Sequence, residues 1–111
     1  MSSADAWRIA KDNLETATES FNGLLIAHVN AFIRLGSDQR SLYFEAKAWR
    51  KNADEDPNDK EADARAKQLE QQFDPAVREA FRLWRVFEEA RRRLDDVDAV
   101  YNAELRKHRL G

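Results

Sequence analysis

Residues 69–78 read LEQQFDPAVR, and the architecture of the chain depends on whether the backbone turns back at Asp74-Pro75. A proline in the interior of a helix removes a backbone hydrogen bond and costs about 3 kcal/mol. Asp is a preferred N-cap residue, and proline is favoured in the first turn of a helix. We therefore predict that one helix ends near Phe73 and that the next begins at Pro75. A single kinked helix over 59–109 is the alternative, because the apolar pattern stays in phase across the proline.

Two further interruptions divide the rest of the chain. Residues 36–38 read GSD, in which Gly36 suits a left-handed C-terminal cap and the next two residues can cap a new helix. Residues 54–59 read DEDPND, and Asn58 with Glu61 resembles a capping box. The segments between the interruptions consist mainly of strong helix formers. The sequence therefore predicts four helices, at about 4–35, 38–53, 59–73 and 75–109.

Both long predicted helices carry an apolar seam whose positions alternate at spacings of three and four residues. In the first helix the seam contains Trp7, Ala10, Leu14, Ala17, Phe21, Leu24, His28, Ala31 and Leu35. In the last helix it contains Ala76, Ala80, Leu83, Phe87, Ala90, Leu94, Val97 and Tyr101. Alanines that alternate with large side chains are typical of closely packed coiled coils.

The apolar arc of each long helix widens at one end. Val29 and Ile33 widen the end of the first helix, and Phe81 and Trp84 widen the start of the last. If the long helices are antiparallel, the wide parts coincide, and the two short helices have the length needed to cover them. We predict an all-α fold: an antiparallel helical bundle of two long helices, with the two short helices covering one end. A single domain over 1–111 is expected.

Composition excludes several classes of chemistry. The chain has no Cys and two His, so disulfide scaffolds, thiolate metal sites and thiol catalysis are excluded. The Glu-x-x-His spacing of di-iron bundles is missing, and the acidic segment 54–59 lacks the glycine of a calcium-binding EF-hand loop. No apolar run is long enough to span a membrane, and no leader segment is visible. We expect no metal, no cofactor, no enzymatic activity, no membrane partner and a cytoplasmic location.

Aromatic residues on the second predicted helix indicate a contact surface. Phe44 points nearly opposite to the stripe that contains Ala46 and Trp49, and Tyr43 points sideways. A short helix that faces one core cannot bury all of these side chains, and exposed apolar patches usually mark a partner. We expect Tyr43, Phe44 and Trp84 to lie on this surface; membership of the core is the alternative for Phe44 and Trp84.

Arginines form a ridge along one face of the last helix: Arg78, Arg82, Arg85 and Arg92. Such a row suits an acidic protein surface or a phosphate backbone. Glu89 lies within the ridge and several arginines have acidic neighbours at helical spacing, so a self-neutralised, solvated face is the alternative.

The function predicted from these features is that of a small non-enzymatic helical protein–protein interaction module. It would act as an adaptor, chaperone or inhibitor, of the kind that phages and mobile elements encode against host protein complexes. The predicted partner-binding residues are Tyr43, Phe44, Arg78, Arg82, Trp84, Arg85 and Arg92. Binding of a nucleic-acid backbone through the Arg ridge is the alternative, and the net charge of −2 disfavours it. We also consider a homodimer through the hairpin of the two long helices, because this hairpin has little core of its own.

Overall fold

The protein is an all-α helical bundle, described here by a computed structural model over residues 3–110. Its elements in chain order are α1 (Ser3–Ile33), α2 (Ser37–Glu55), α3 (Lys60–Glu70) and α4 (Pro75–Leu110), with no strand in the described range. The four predicted helices are confirmed. The largest difference is at the end of α3, which stops three residues before the predicted Phe73. There the Phe73 N–H donates to the Glu70 carbonyl at 3.2 Å in a tighter turn.

The break at Asp74-Pro75 is real, and the alternative of one kinked helix is wrong. Four residues separate the end of α3 from the start of α4. Asp74 caps α4, because its Oδ1 atom accepts a hydrogen bond from the Val77 N–H at 2.9 Å.

The other two caps differ from the sequence-based interpretation. Gly36 has φ −76° and is the N-cap of α2, so it is not a left-handed end of α1. Asp59 takes the capping role predicted for Asn58, and its side chain accepts from the Ala62 N–H at 3.0 Å. In both places several adjacent residues can cap, so a sequence-based boundary can be wrong by one or two residues.

The chain forms two compact units, and the first contains residues 3–26 and 85–110. Within it the rings of Trp7 and His108 stack with centroids 5.2 Å apart, and the rings of Phe21 and Phe87 also lie 5.2 Å apart. The early part of α1 therefore pairs with the late part of α4, which confirms the antiparallel arrangement of these helices. Ala10 and Ala17 are buried in the seam, as expected where small residues allow two backbones to approach closely.

The second unit, residues 27–84, contains the largest cluster of buried side chains. Its members come from α2, from α4 and from the turns that follow α1 and α3: Leu35, Tyr43, Ala46, Phe73, Val77, Ala80, Phe81 and Trp84. Ala31 and Phe32 of α1 pack against this cluster. The core of this unit therefore lies where the apolar arcs of the two long helices were predicted to be widest.

Helices α2 and α3 pack closely through alanines. Ala46, Ala62 and Ala66 are completely buried, so larger side chains at these positions would have no space without separating the helices.

An arginine links α2 and α3 at the margin of this contact. Arg50 donates to the Asp63 carboxylate at 3.0 Å and to the Glu70 carboxylate at 2.6 Å, and its side chain is only 13% exposed. The hydrogen bond to Glu70 raises the pKa of Arg50, and Lys67 together with Arg50 lowers the pKa of Asp63. Because one cation serves two carboxylates on a neighbouring helix, Arg50 fixes the position of α3 against α2.

Candidate protein-interaction surface

Two of the three aromatic residues predicted to lie on a surface are in the core. Tyr43 is 1% exposed and Trp84 is 3% exposed, so the expectation that their side chains lie on a contact surface is wrong. The Tyr43 ring packs against Phe32 of α1, and the Trp84 ring packs against Phe81. Both rings are enclosed because α1, α2 and α4 converge on them. The position of a residue on its own helix does not reveal such a convergence.

Phe44 is exposed as expected, with 54% of the residue open to solvent. Its ring lies edge-on against Phe32, with centroids 5.2 Å apart, and against Tyr43 at 5.6 Å. Edge-to-face contacts of this kind stabilise aromatic pairs. The ring is therefore held in place on one side and presents its other side to solvent.

Exposed aliphatic side chains of α1 extend the apolar surface beside Phe44. Val29 and Ile33 are 39% and 59% exposed, and they flank Phe32 on the helix at spacings of three and one residues. We call Val29, Ile33 and Phe44, with the half-buried Phe32 between them, the α1/α2 surface. The widened arc of α1 suggested that Val29 and Ile33 would be covered. The core instead meets α1 through Ala31 and Phe32, which leaves Val29 and Ile33 open.

Two cations of α2 border the α1/α2 surface. The Arg40 guanidinium lies over the Phe32 ring, 4.9 Å from its centroid, and donates to the Ile33 carbonyl at 2.9 Å. The Lys47 ammonium lies 5.3 Å from the centroid of Trp84 and 5.7 Å from that of Tyr43. No carboxylate of residues 3–110 pairs with Arg40. Sequence analysis missed both residues, although each lies one helical turn from Phe44.

The Arg ridge is partly neutralised within the protein. Arg82 donates to both carboxylate oxygens of Glu79, at 3.0 and 2.6 Å, and this contact lowers the pKa of Glu79. Arg78 donates to the Phe73 carbonyl at 3.2 Å and so helps to close the turn before α4. Arg85 and Arg92 are exposed on α4. A role of the ridge in binding an acidic protein or nucleic acid stays a prediction.

Neither a metal site nor a membrane-spanning segment is visible in the described part of the chain. Over residues 3–110 no three side chains of the metal-binding types gather around a common point. Over the same residues, none of the helices combines the length and the apolar character needed to cross a membrane.

Comparison with known proteins finds no matching family model, no matching curated protein and no matching solved structure.

Proposed function

We propose that this protein is a non-enzymatic helical interaction module that binds another protein through the α1/α2 surface. The observation that supports this proposal is the position of Phe44, whose ring is held by Phe32 and Tyr43 while half of it faces solvent. An aromatic ring that is fixed before binding loses little conformational entropy when a partner covers it. Large aromatic side chains of this kind often supply most of the binding energy at interfaces.

The proposed module acts as an adaptor, chaperone or inhibitor in the cytoplasm. All three roles require only that a rigid surface covers a site on another protein. The buried core around Tyr43 and Trp84 supports rigidity of the second unit, because both rings are enclosed by side chains from several helices.

Site-specific photo-crosslinking tests the proposal. A photoreactive phenylalanine analogue replaces Phe44 in one variant and the exposed Ala64 of α3 in a matched control. The expected result is a protein adduct at position 44 that is missing at position 64. The adduct is then identified by mass spectrometry and reproduced with the two purified proteins. An identical adduct pattern at both positions would remove the α1/α2 surface from the proposal.

Homodimerisation through the unit of residues 3–26 and 85–110 is a second part of the proposal. Leu94, Val97 and Tyr101 of the α4 seam are only half-buried in this unit, and a second copy would cover them. Light scattering over a wide concentration range tests this part. We expect a mass near twice 12.9 kDa that Val97→Glu lowers to the monomer value. A monomer at every concentration would reject the homodimer and leave the α1/α2 surface unaffected.

A further inference from the structure

We infer that the Asn22-Gly23 pair of α1 is a site of spontaneous covalent modification, at which the asparagine loses its side-chain amide and is converted to aspartate and isoaspartate. This modification needs no partner and does not depend on the proposed function.

Asn22 and Gly23 together carry both groups that react. The backbone nitrogen of Gly23 loses its proton and attacks the side-chain carbonyl carbon Cγ of Asn22. A C–N bond forms, the side-chain nitrogen takes up a proton and leaves as ammonia, and a cyclic succinimide results. Water then opens the ring at either of its two carbonyl groups, which gives aspartate or isoaspartate. No oxidant or reductant takes part.

The surroundings of Gly23 leave the attacking nitrogen accessible. A Cβ atom added at Gly23 would meet no side chain of a non-adjacent residue within 4 Å. Asn22 and Gly23 are both exposed, and no hydrogen bond to another group of residues 3–110 holds the Asn22 side chain. Water and hydroxide therefore reach both residues without displacement of a packed side chain.

The helical backbone of α1 controls the rate. In the α-helical pattern the Gly23 N–H donates to the carbonyl of Glu19, so the nitrogen is engaged while this turn is closed. The reaction thus requires a local opening of α1. Glycine favours such an opening, because it loses more backbone freedom in a helix than any other residue.

The two products affect α1 differently. Aspartate adds a negative charge within residues 20–33, a segment that contains no Asp, Glu, Lys or Arg. Isoaspartate also lengthens the main chain by one carbon atom, which shifts the hydrogen bonds of the helix out of step. The adjacent Phe21 ring lies 5.2 Å from the ring of Phe87, centroid to centroid. We therefore expect isoaspartate to weaken the pairing of α1 with α4 in the first unit.

Peptide mapping by mass spectrometry tests the inference on the full, folded chain after incubation at mildly alkaline pH. Asn30 is the internal control, because it is an exposed asparagine of the same helix and is followed by Ala31. We expect Asn22 to be converted at least about tenfold faster than Asn30, equivalent to a barrier lower by about 1.4 kcal/mol. Fragmentation that distinguishes aspartate from isoaspartate should find both products at position 22.

Variants separate the chemistry of the pair from its structural effect. Gly23→Ala should slow conversion at position 22 to the rate of Asn30, because the methyl group hinders the attack and alanine stabilises the helix. This variant has room for its methyl group and should remain folded. Asn22→Asp carries the charge without the altered linkage, so its thermal unfolding should resemble that of the wild type. The purified isoaspartate form should unfold at a lower temperature.

Two results would overturn the inference: equal rates at Asn22 and Asn30 in the folded protein, or a rate at position 22 that Gly23→Ala leaves unchanged. Equal rates at position 22 in the folded and in the urea-unfolded chain would contradict the control by the helix. Failure of the proposed function is recognised separately, because photo-crosslinking at position 44 would then give no specific adduct.

Discussion

The Gln39 side chain donates from Nε2 to the Asp74 carboxylate at 2.9 Å and thereby joins the turn after α1 to the turn before α4. The Oε1 atom of Gln39 accepts from the Gly36 N–H at 2.6 Å, and Asp74 also accepts from the Val77 N–H. One side chain thus connects the starts of α2 and α4. The two turns that define the bundle in this unit are coupled through Asp74.

Asp74 should make stability depend on pH. Its hydrogen bonds with Gln39 and Val77 lower its pKa below the usual 3.8. A group whose pKa is lower in the folded state stabilises the protein above its unfolded pKa, and this contribution is lost as pH falls through the folded pKa. We expect Asp74→Asn, which retains a capping oxygen, to reduce the loss of thermal stability below about pH 4. Unchanged pH dependence in thermal melts of this variant would contradict the assignment.

The α2/α3 contact should reject larger side chains. Ala66→Leu should lower the free energy of unfolding by about 1–3 kcal/mol, because the completely buried Ala66 leaves no space for three more carbons. Ala64→Leu on the exposed face of the same helix is the matched control, with an expected change within about 0.5 kcal/mol. Urea titrations measure the free energy of unfolding of both variants. Equal effects of the two variants would show that α2 and α3 do not pack as described.

Arg50 should stabilise the protein through Asp63 and Glu70. Arg50→Met keeps much of the side-chain stem and removes the hydrogen bonds to both carboxylates, for which we expect a loss of about 1–3 kcal/mol. Lys51→Met, the adjacent exposed position, should change the free energy of unfolding little. In the background of Glu70→Gln the effect of Arg50→Met should become smaller. Additive effects would mean that Arg50 and Glu70 do not interact in solution.

Truncation of Trp84 should destabilise the protein much more than truncation of Phe44. Trp84→Ala should lower the free energy of unfolding by about 3–5 kcal/mol, because it empties a space in the core. Phe44→Ala should cost about 1 kcal/mol or less, since half of the ring is already in water. Denaturant unfolding compares the two directly. A larger loss for Phe44 than for Trp84 would reverse the assignment of core and surface.

Local chemistry made the helices and the break at Asp74-Pro75 predictable. The cap and the proline act within one turn of the backbone, so their effect can be derived from neighbouring residues alone. The wide apolar arcs, at the end of the first long helix and at the start of the last, likewise predicted the antiparallel pairing that Trp7 and His108 display.

The candidate site was less predictable because it depends on tertiary packing. Tyr43 and Phe44 are adjacent aromatic residues of one helix, and only the position of α1 decides that one is enclosed and the other exposed. Arg50 is separated from its partners by 13 and 20 residues, a distance at which sequence spacing carries no information on ion pairs. Val29 and Ile33 looked like core residues, and their exposure follows from which face of α1 the other helices cover.

The affinity of the partner identified by crosslinking tests the central claim most directly. Binding of the purified partner is measured with the wild-type chain, with Phe44→Ala and with the control Arg34→Ala. All three proteins must be folded to the same extent. We predict that Phe44→Ala weakens binding at least about tenfold, as expected for an aromatic residue at the centre of an interface, and that Arg34→Ala has no effect. Equal affinities of all three proteins would contradict the claim that the α1/α2 surface binds the partner.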